Sequence, residues 1–159
     1  MPVTVLCVGK LREKYYAAAA EEYLKRLKRL MPVTVVELPD EPEPAQPSDK
    51  LNQAVMRREG EKLLARIAPQ DYVIALCIDG RQLSSPRLAQ KLQALFTGGR
   101  SHIVFVIGGS LGLHADVCSR ADERMSMSEM TFPHQLARVM LLEQLFRAAK
   151  INAGERYHK

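Results

Sequence analysis

The chain has 159 residues, 47% hydrophobic and 26% charged, an ordinary composition for a folded protein with one core, read as a single domain over 1–159. No apolar run is long enough to span a bilayer, and Lys10, Arg12, Glu13 and Lys14 follow the first apolar run too soon for a secretory signal, so a cytoplasmic protein with no membrane partner is expected. Lys and Arg number 23 against 18 Asp and Glu, a net charge of +5, an excess compatible with a polyanionic partner such as RNA and too moderate to require one.

Val3–Gly9 (VTVLCVG) is β-branched, apolar and stopped by glycine, which predicts a buried strand with Cys7 in the core. Glu13–Leu30 predicts a helix: Ala20, Tyr23, Leu24, Leu27 and Leu30 recur at helical spacing, and Met31-Pro32 breaks it. Val33–Leu38 predicts a second strand, and the Pro-rich acidic stretch Pro39–Asp49 an exposed, mobile loop. Ser48 or Asp49 caps a helix running to Ile67. Asp71–Ile78 predicts a third strand, turned by Asp79-Gly80. Ser84, Ser85 and Pro86 start a helix through Phe96, which Gly98-Gly99 ends. His102–Ile107 predicts a fourth strand, Leu113–Arg120 a short helix, Arg124–Ser128 a weaker fifth strand and His134–Lys150 the strongest helix. The remaining residues form a tail that, taken alone, is expected to fray. Cys7, Cys77 and Cys118 make no CxxC pair, as expected of reduced thiols. No metal-ligand spacing is present.

Alternating strands and helices predict an α/β fold, a mostly parallel sheet with helices on both faces. Ligands of such sheets sit outside the carboxyl ends of strands, here after Ile78, Ile107 and Ser128. The second of these opens on glycines, VFVIGGSLGLH. A phosphate-binding GxxxxGK loop is excluded because the lysine is missing. A dinucleotide fingerprint has Ile107 where its first glycine belongs; Glu129 lies about 20 residues on, but too little chain follows for a doubly wound dinucleotide domain. Two readings remain: a backbone surface for an adenine or ribose, or a tight strand-to-helix turn.

The last helix carries Leu136, Val139, Met140, Leu141, Leu142, Leu145 and Phe146 over more than half its circumference. Burial against a second subunit in a twofold homodimer accounts for that spread; a helix wedged wholly inside one chain is the other reading. Glu143 and Arg147 stand at i, i+4 and form at least a local ion pair.

The stretches VGKLREKYY, EGEKLL, FVIGGSLGLH, MTFPHQLARVMLLEQLFRAAKIN and the closing YHK together resemble the bacterial ribosomal RNA large-subunit methyltransferase H family of SPOUT-class enzymes, over essentially the whole chain. The resemblance implies an α/β fold with a C-terminal trefoil knot, S-adenosylmethionine as methyl donor, a homodimer, and methylation of N3 of pseudouridine 1915 in 23S rRNA on assembled 70S ribosomes. It implies donor binding by Leu76, Gly108, Met127, Ser128, Glu129, Met130, Thr131 and Phe132. With the chemistry of removing the N3 proton, it puts Tyr157 and His158 in catalysis, His158 as the natural base, and Arg147 on the target nucleotide. His134 and His114 are read as capping or packing residues. Lys10, Arg12, Lys14, Lys25, Arg26, Lys28 and Arg29 are candidate RNA contacts. Gly108→Val is expected to fill ligand space and leave the dimer intact. The alternatives are a SPOUT methyltransferase acting on another RNA such as tRNA, a non-catalytic RNA-binding dimer and, third, a nicotinamide-dependent oxidoreductase.

Overall fold

The computed structural model describes residues 2–159. Ten elements alternate in the predicted order: β1 (Val3–Val8), α1 (Lys14–Leu27), β2 (Val33–Leu38), α2 (Asp49–Leu64), β3 (Tyr72–Gln82), α3 (Ser85–Thr97), β4 (Ile103–Ile107), α4 (Ala115–Arg120), β5 (Glu123–Ser126) and α5 (His134–Asn152). The five strands form one sheet, parallel throughout, in the order β2-β1-β4-β3-β5. This is the α/β class that the alternation predicts.

The period of two along each strand divides the core. Val3, Val5, Cys7, Ile103, Phe105 and Ile107 face one side, where α5 packs between α1 and α3. Leu6, Val8, Val104 and Val106 face the other, covered by α2 and α4. Every residue of β4 is buried, as a continuous apolar strand in a sheet covered on both faces should be. Ser48 Oγ accepts the Leu51 N–H at 3.2 Å, so of the two candidates Ser48 is the cap, and Ser84 Oγ accepts the Arg87 N–H at 3.3 Å and caps α3.

Two predicted features differ. Asp79-Gly80 does not end β3. Leu76 and Arg81 both pair with Met125 of β5, so Cys77–Gly80 bulge out and the strand resumes. A Cβ at Gly80 would lie 2.6 Å from the Met125 carbonyl carbon, so the glycine marks close approach of two backbones and not a turn. The acidic loop is exposed as expected, but it is fastened. The Glu41 N–H donates to Glu59 Oε2 at 3.0 Å, Lys62 Nζ reaches the Glu41 carboxylate at 2.7 Å and the Pro39 carbonyl at 3.3 Å, and Ser110 Oγ donates to Glu43. Among the described residues no helix is long and apolar enough to cross a membrane.

Candidate active site

Because all five strands run the same way, the bulge of β3 and the segments after β4 and β5 lie toward one edge of the sheet. Leu76, Gly108, Met127, Ser128, Met130, Thr131 and Phe132 line one cavity there, with His134 and Ala137 from the first turn of α5. Glu129 is exposed and not part of the lining. Three chain segments picked out separately in the sequence therefore meet.

The glycines do two jobs. The Gly112 N–H closes on the Gly109 carbonyl at 3.0 Å, with Gly112 at φ +90°, a backbone state that disfavours any side chain. At Gly108 a Cβ would meet the Gly112 carbonyl carbon at 2.7 Å and its oxygen at 2.8 Å. That direction is the turn, not the cavity. The expectation that a side chain at Gly108 would simply occupy ligand space is therefore corrected: Gly108 offers its backbone to the cavity, and its missing side chain is what lets the turn close. At Gly109 a Cβ would lie 3.0 Å from Glu59 Oε1. Glu59, from α2, is buried, and burial raises its pKa, partly offset by the Glu41 N–H. It supports the turn from behind. Sequence periodicity did not single it out, since a buried glutamate on a helix looks like any solvated one.

The segment after β5 is braced by its own serines. Ser126 Oγ donates to the Ser128 carbonyl at 2.9 Å, and Ser128 Oγ accepts the Met130 N–H at 3.0 Å. Ile78 and Met130 stand exposed at the rim, 57% and 74% accessible. No Lys, Arg, Asp or Glu lines the cavity. Its one imidazole, His134, has its pKa lowered by burial first and by the Arg138 guanidinium second, so it is neutral at pH 7. Arg138 is buried and fixes the start of α5. Its Nη1 bonds Glu37 Oε2 of β2 at 2.5 Å and its Nη2 the Gly9 carbonyl at 2.9 Å.

The tail does not fray from its helix. Tyr157 packs edge-on against Phe146, ring centroids 4.8 Å apart, and its hydroxyl donates to Glu143 Oε1 at 3.2 Å. Arg147 lies 4.8 Å over the Tyr157 ring, bonds Glu143 Oε1 through Nη2 at 2.5 Å, and donates from Nη1 to His158 Nδ1 at 3.3 Å. Arg147, Tyr157 and His158 are thus brought together, with Glu143 as the hub that the sequence showed only as an ion-pair partner. None of the three lines the cavity. His134 at its wall and Arg147 are 13 residues apart on α5, roughly 20 Å along a helix.

Residues 1–158 match the family described as "Predicted SPOUT methyltransferase". The chain belongs to the SPOUT methyltransferase family. Two solved structures share the fold. A protein assigned to a methylase family from Haemophilus influenzae Rd KW20 aligns over 99% of this chain and 70% of its own, at 11% identity and TM-score 0.55. Another from Neisseria gonorrhoeae aligns over 91% and 81%, at 13% identity and TM-score 0.51. SPOUT methyltransferases generally use S-adenosylmethionine, whose sulfonium is a cation, and the cavity of this SPOUT chain fits such a group. Its lining holds no Lys or Arg and its imidazole is held neutral, while the Gly108 backbone and the serine-braced turn offer close polar contacts.

Proposed function

We propose that this SPOUT methyltransferase transfers a methyl group from S-adenosylmethionine to N3 of pseudouridine 1915 in 23S rRNA, acting as a cytoplasmic homodimer on assembled 70S ribosomes. The observation that carries the reading is the convergence of Leu76, Gly108 and Met127–Phe132, without Glu129, on one uncharged cavity in a chain of this family. Leu76, Met130 and Phe132 wall an adenine, and backbone groups of Gly108 and the Ser128 turn read its edge and the ribose. The implied trefoil knot belongs to the same reading. It would tie the segment after β5 into the loop that holds the donor.

The donor supplies an electrophilic methyl carbon on sulfur. N3 of the base must lose its proton as the N–C bond forms and the C–S bond breaks. A guanidinium only donates hydrogen bonds, so in the 3.3 Å contact with Arg147 Nη1 the His158 Nδ1 is the acceptor. When Arg147 turns to a phosphate of the target nucleotide, Nδ1 is freed and becomes the proton acceptor. Tyr157 is a positioning residue. Its pKa is raised by burial first and by the Glu143 carboxylate next, so it remains a phenol and holds the tail in place.

His134 at the cavity wall and Arg147 stand roughly 20 Å apart along α5, and neither Arg147, Tyr157 nor His158 lines the cavity. In a homodimer, the tail of each chain would serve the cavity of the other. The half-buried Leu136, Val139 and Met140 leave an apolar stripe on α5 for that contact. A pair carries a formal charge of about +10, and Lys10, Arg12 and Lys14 follow the carboxyl end of β1, which suits rRNA.

The test is a methylation assay on 70S ribosomes, free 23S rRNA and tRNA, with the product nucleoside identified by mass. N3-methylpseudouridine from 70S particles alone supports the proposal. Methylation of tRNA moves the acceptor, and no transfer to any RNA removes it.

A further inference from the structure

Two thiols that the sequence keeps apart are neighbours in the fold. Cys77 lies in the β3 bulge and Cys118 on α4, 41 residues on, with their Sγ atoms 3.6 Å apart. Both are partly exposed, whereas Cys7 is fully buried. A disulfide needs the sulfurs at about 2.05 Å, a further approach of about 1.5 Å. The bulge makes that movement available, because Cys77–Gly80 pair with neither β4 nor β5 and can shift without breaking the ladder. Cys77 also lines the cavity, between Leu76 and Ile78, which line it too.

We propose that Cys77 and Cys118 are a reversible redox pair, oxidised by a small disulfide such as oxidised glutathione to an intramolecular disulfide that loosens the cavity. One cysteine thiolate attacks the small disulfide and expels one glutathione thiolate. The second cysteine thiolate attacks the resulting mixed disulfide and expels the other. The two protein thiols lose two electrons and two protons, and the small disulfide gains them as two thiols. The second step is intramolecular between adjacent sulfurs and is the fast one.

Burial pushes the Cys77 thiol up to about 12, so the first attack is slow at neutral pH. The same property makes Cys77 a poor leaving group, so the bond resists reduction once formed. α4 lies on the opposite face of the sheet from α5. Drawing Cys77 toward Cys118 therefore shifts its bulge neighbour Ile78 at the cavity, while Leu76 stays paired with Met125.

The test incubates the whole protein with oxidised glutathione at mildly alkaline pH, then alkylates it in denaturant and weighs it. Because the chain has three cysteines, the oxidised form takes up one alkyl group, at Cys7, and the reduced form three. Cys118→Ser, with two thiols left, takes up two alkyl groups after the same treatment, or one with glutathione retained on Cys77; loss of both would overturn the pairing. Three alkyl groups on the oxidised wild type, a persistent glutathione adduct there, or a bridge between chains overturns the proposal.

The affinity arm rests on the donor reading of the cavity. S-adenosylmethionine should bind the oxidised form at least about fivefold more weakly, restored by a reductant, and equal affinity overturns the coupling. If neither form binds S-adenosylmethionine, the donor reading fails, while the alkyl count still decides whether the thiols pair.

Discussion

Gly108 and His134 bear the local chemistry of the cavity in different ways. A methyl group at Gly108 would run into the Gly112 backbone at 2.7 Å, so Gly108→Ala should lose stability and donor affinity together. The loss is about 1–3 kcal/mol, typical of overpacking a closed site. Thermal unfolding with and without S-adenosylmethionine measures both, and normal stability with weakened binding would mean the side chain enters the cavity after all. For His134 the pKa is lowered from 6.5, so the folded chain holds fewer protons than the unfolded chain just below that value. Its contribution to stability is present above pH 6.5 and is lost as pH falls through the depressed folded value. Protonation would also put a cation on the wall beside the sulfonium of the proposed donor. Donor affinity should therefore fall as pH drops below 6.5, and His134→Gln should flatten that profile when the two are titrated side by side.

At the scale of elements, α5 and the tail work as one unit. Deleting Tyr157–Lys159 should abolish turnover and leave donor affinity unchanged. Glu143→Gln should slow turnover about 100-fold by releasing Arg147 and Tyr157, since small misplacements of positioning groups cost that much. Single-turnover rates and calorimetry on the same variants separate the two effects. The elements themselves were legible because period-two and period-3.6 apolar patterns are strong in this chain, and Ser48 and Ser84 stand where the caps form. The Cys77–Gly80 bulge was not legible. Asp-Gly reads as a turn, and only the approach of Met125 from a distant segment shows that the glycine makes room for a neighbouring backbone. The buried Glu59 and the hub at Glu143 escaped for a related reason: which face of a helix a carboxylate occupies depends on what packs there. The strand ends could be named as candidate sites because parallel order alone puts them at one edge. Their residue-by-residue assignment came from the motifs, and Glu129 is the one that the fold leaves outside the cavity.

At the scale of the molecule, the proposed donor cavity lies at one end of α5 and the proposed catalytic tail packs about 20 Å along it, and the proposed homodimer would join the tail of one copy to the cavity of the other. Met127→Arg places a cation in the cavity, and deletion of the tail removes the proposed base; on the proposed reading each variant by itself should be inactive. Mixed dimers, re-formed from the two, should regain methyl transfer, because one intact cavity meets one intact tail. Continued inactivity of verified mixed dimers would return both functions to a single chain. The central claim, that the β3 bulge and the ends of β4 and β5 form the donor site, is tested most directly by calorimetric titration of S-adenosylmethionine into the wild type and Met127→Arg. The account predicts saturable binding to the wild type, lost in a Met127→Arg protein that still unfolds in one cooperative transition. No binding to the wild type, or equal binding to both, would contradict it.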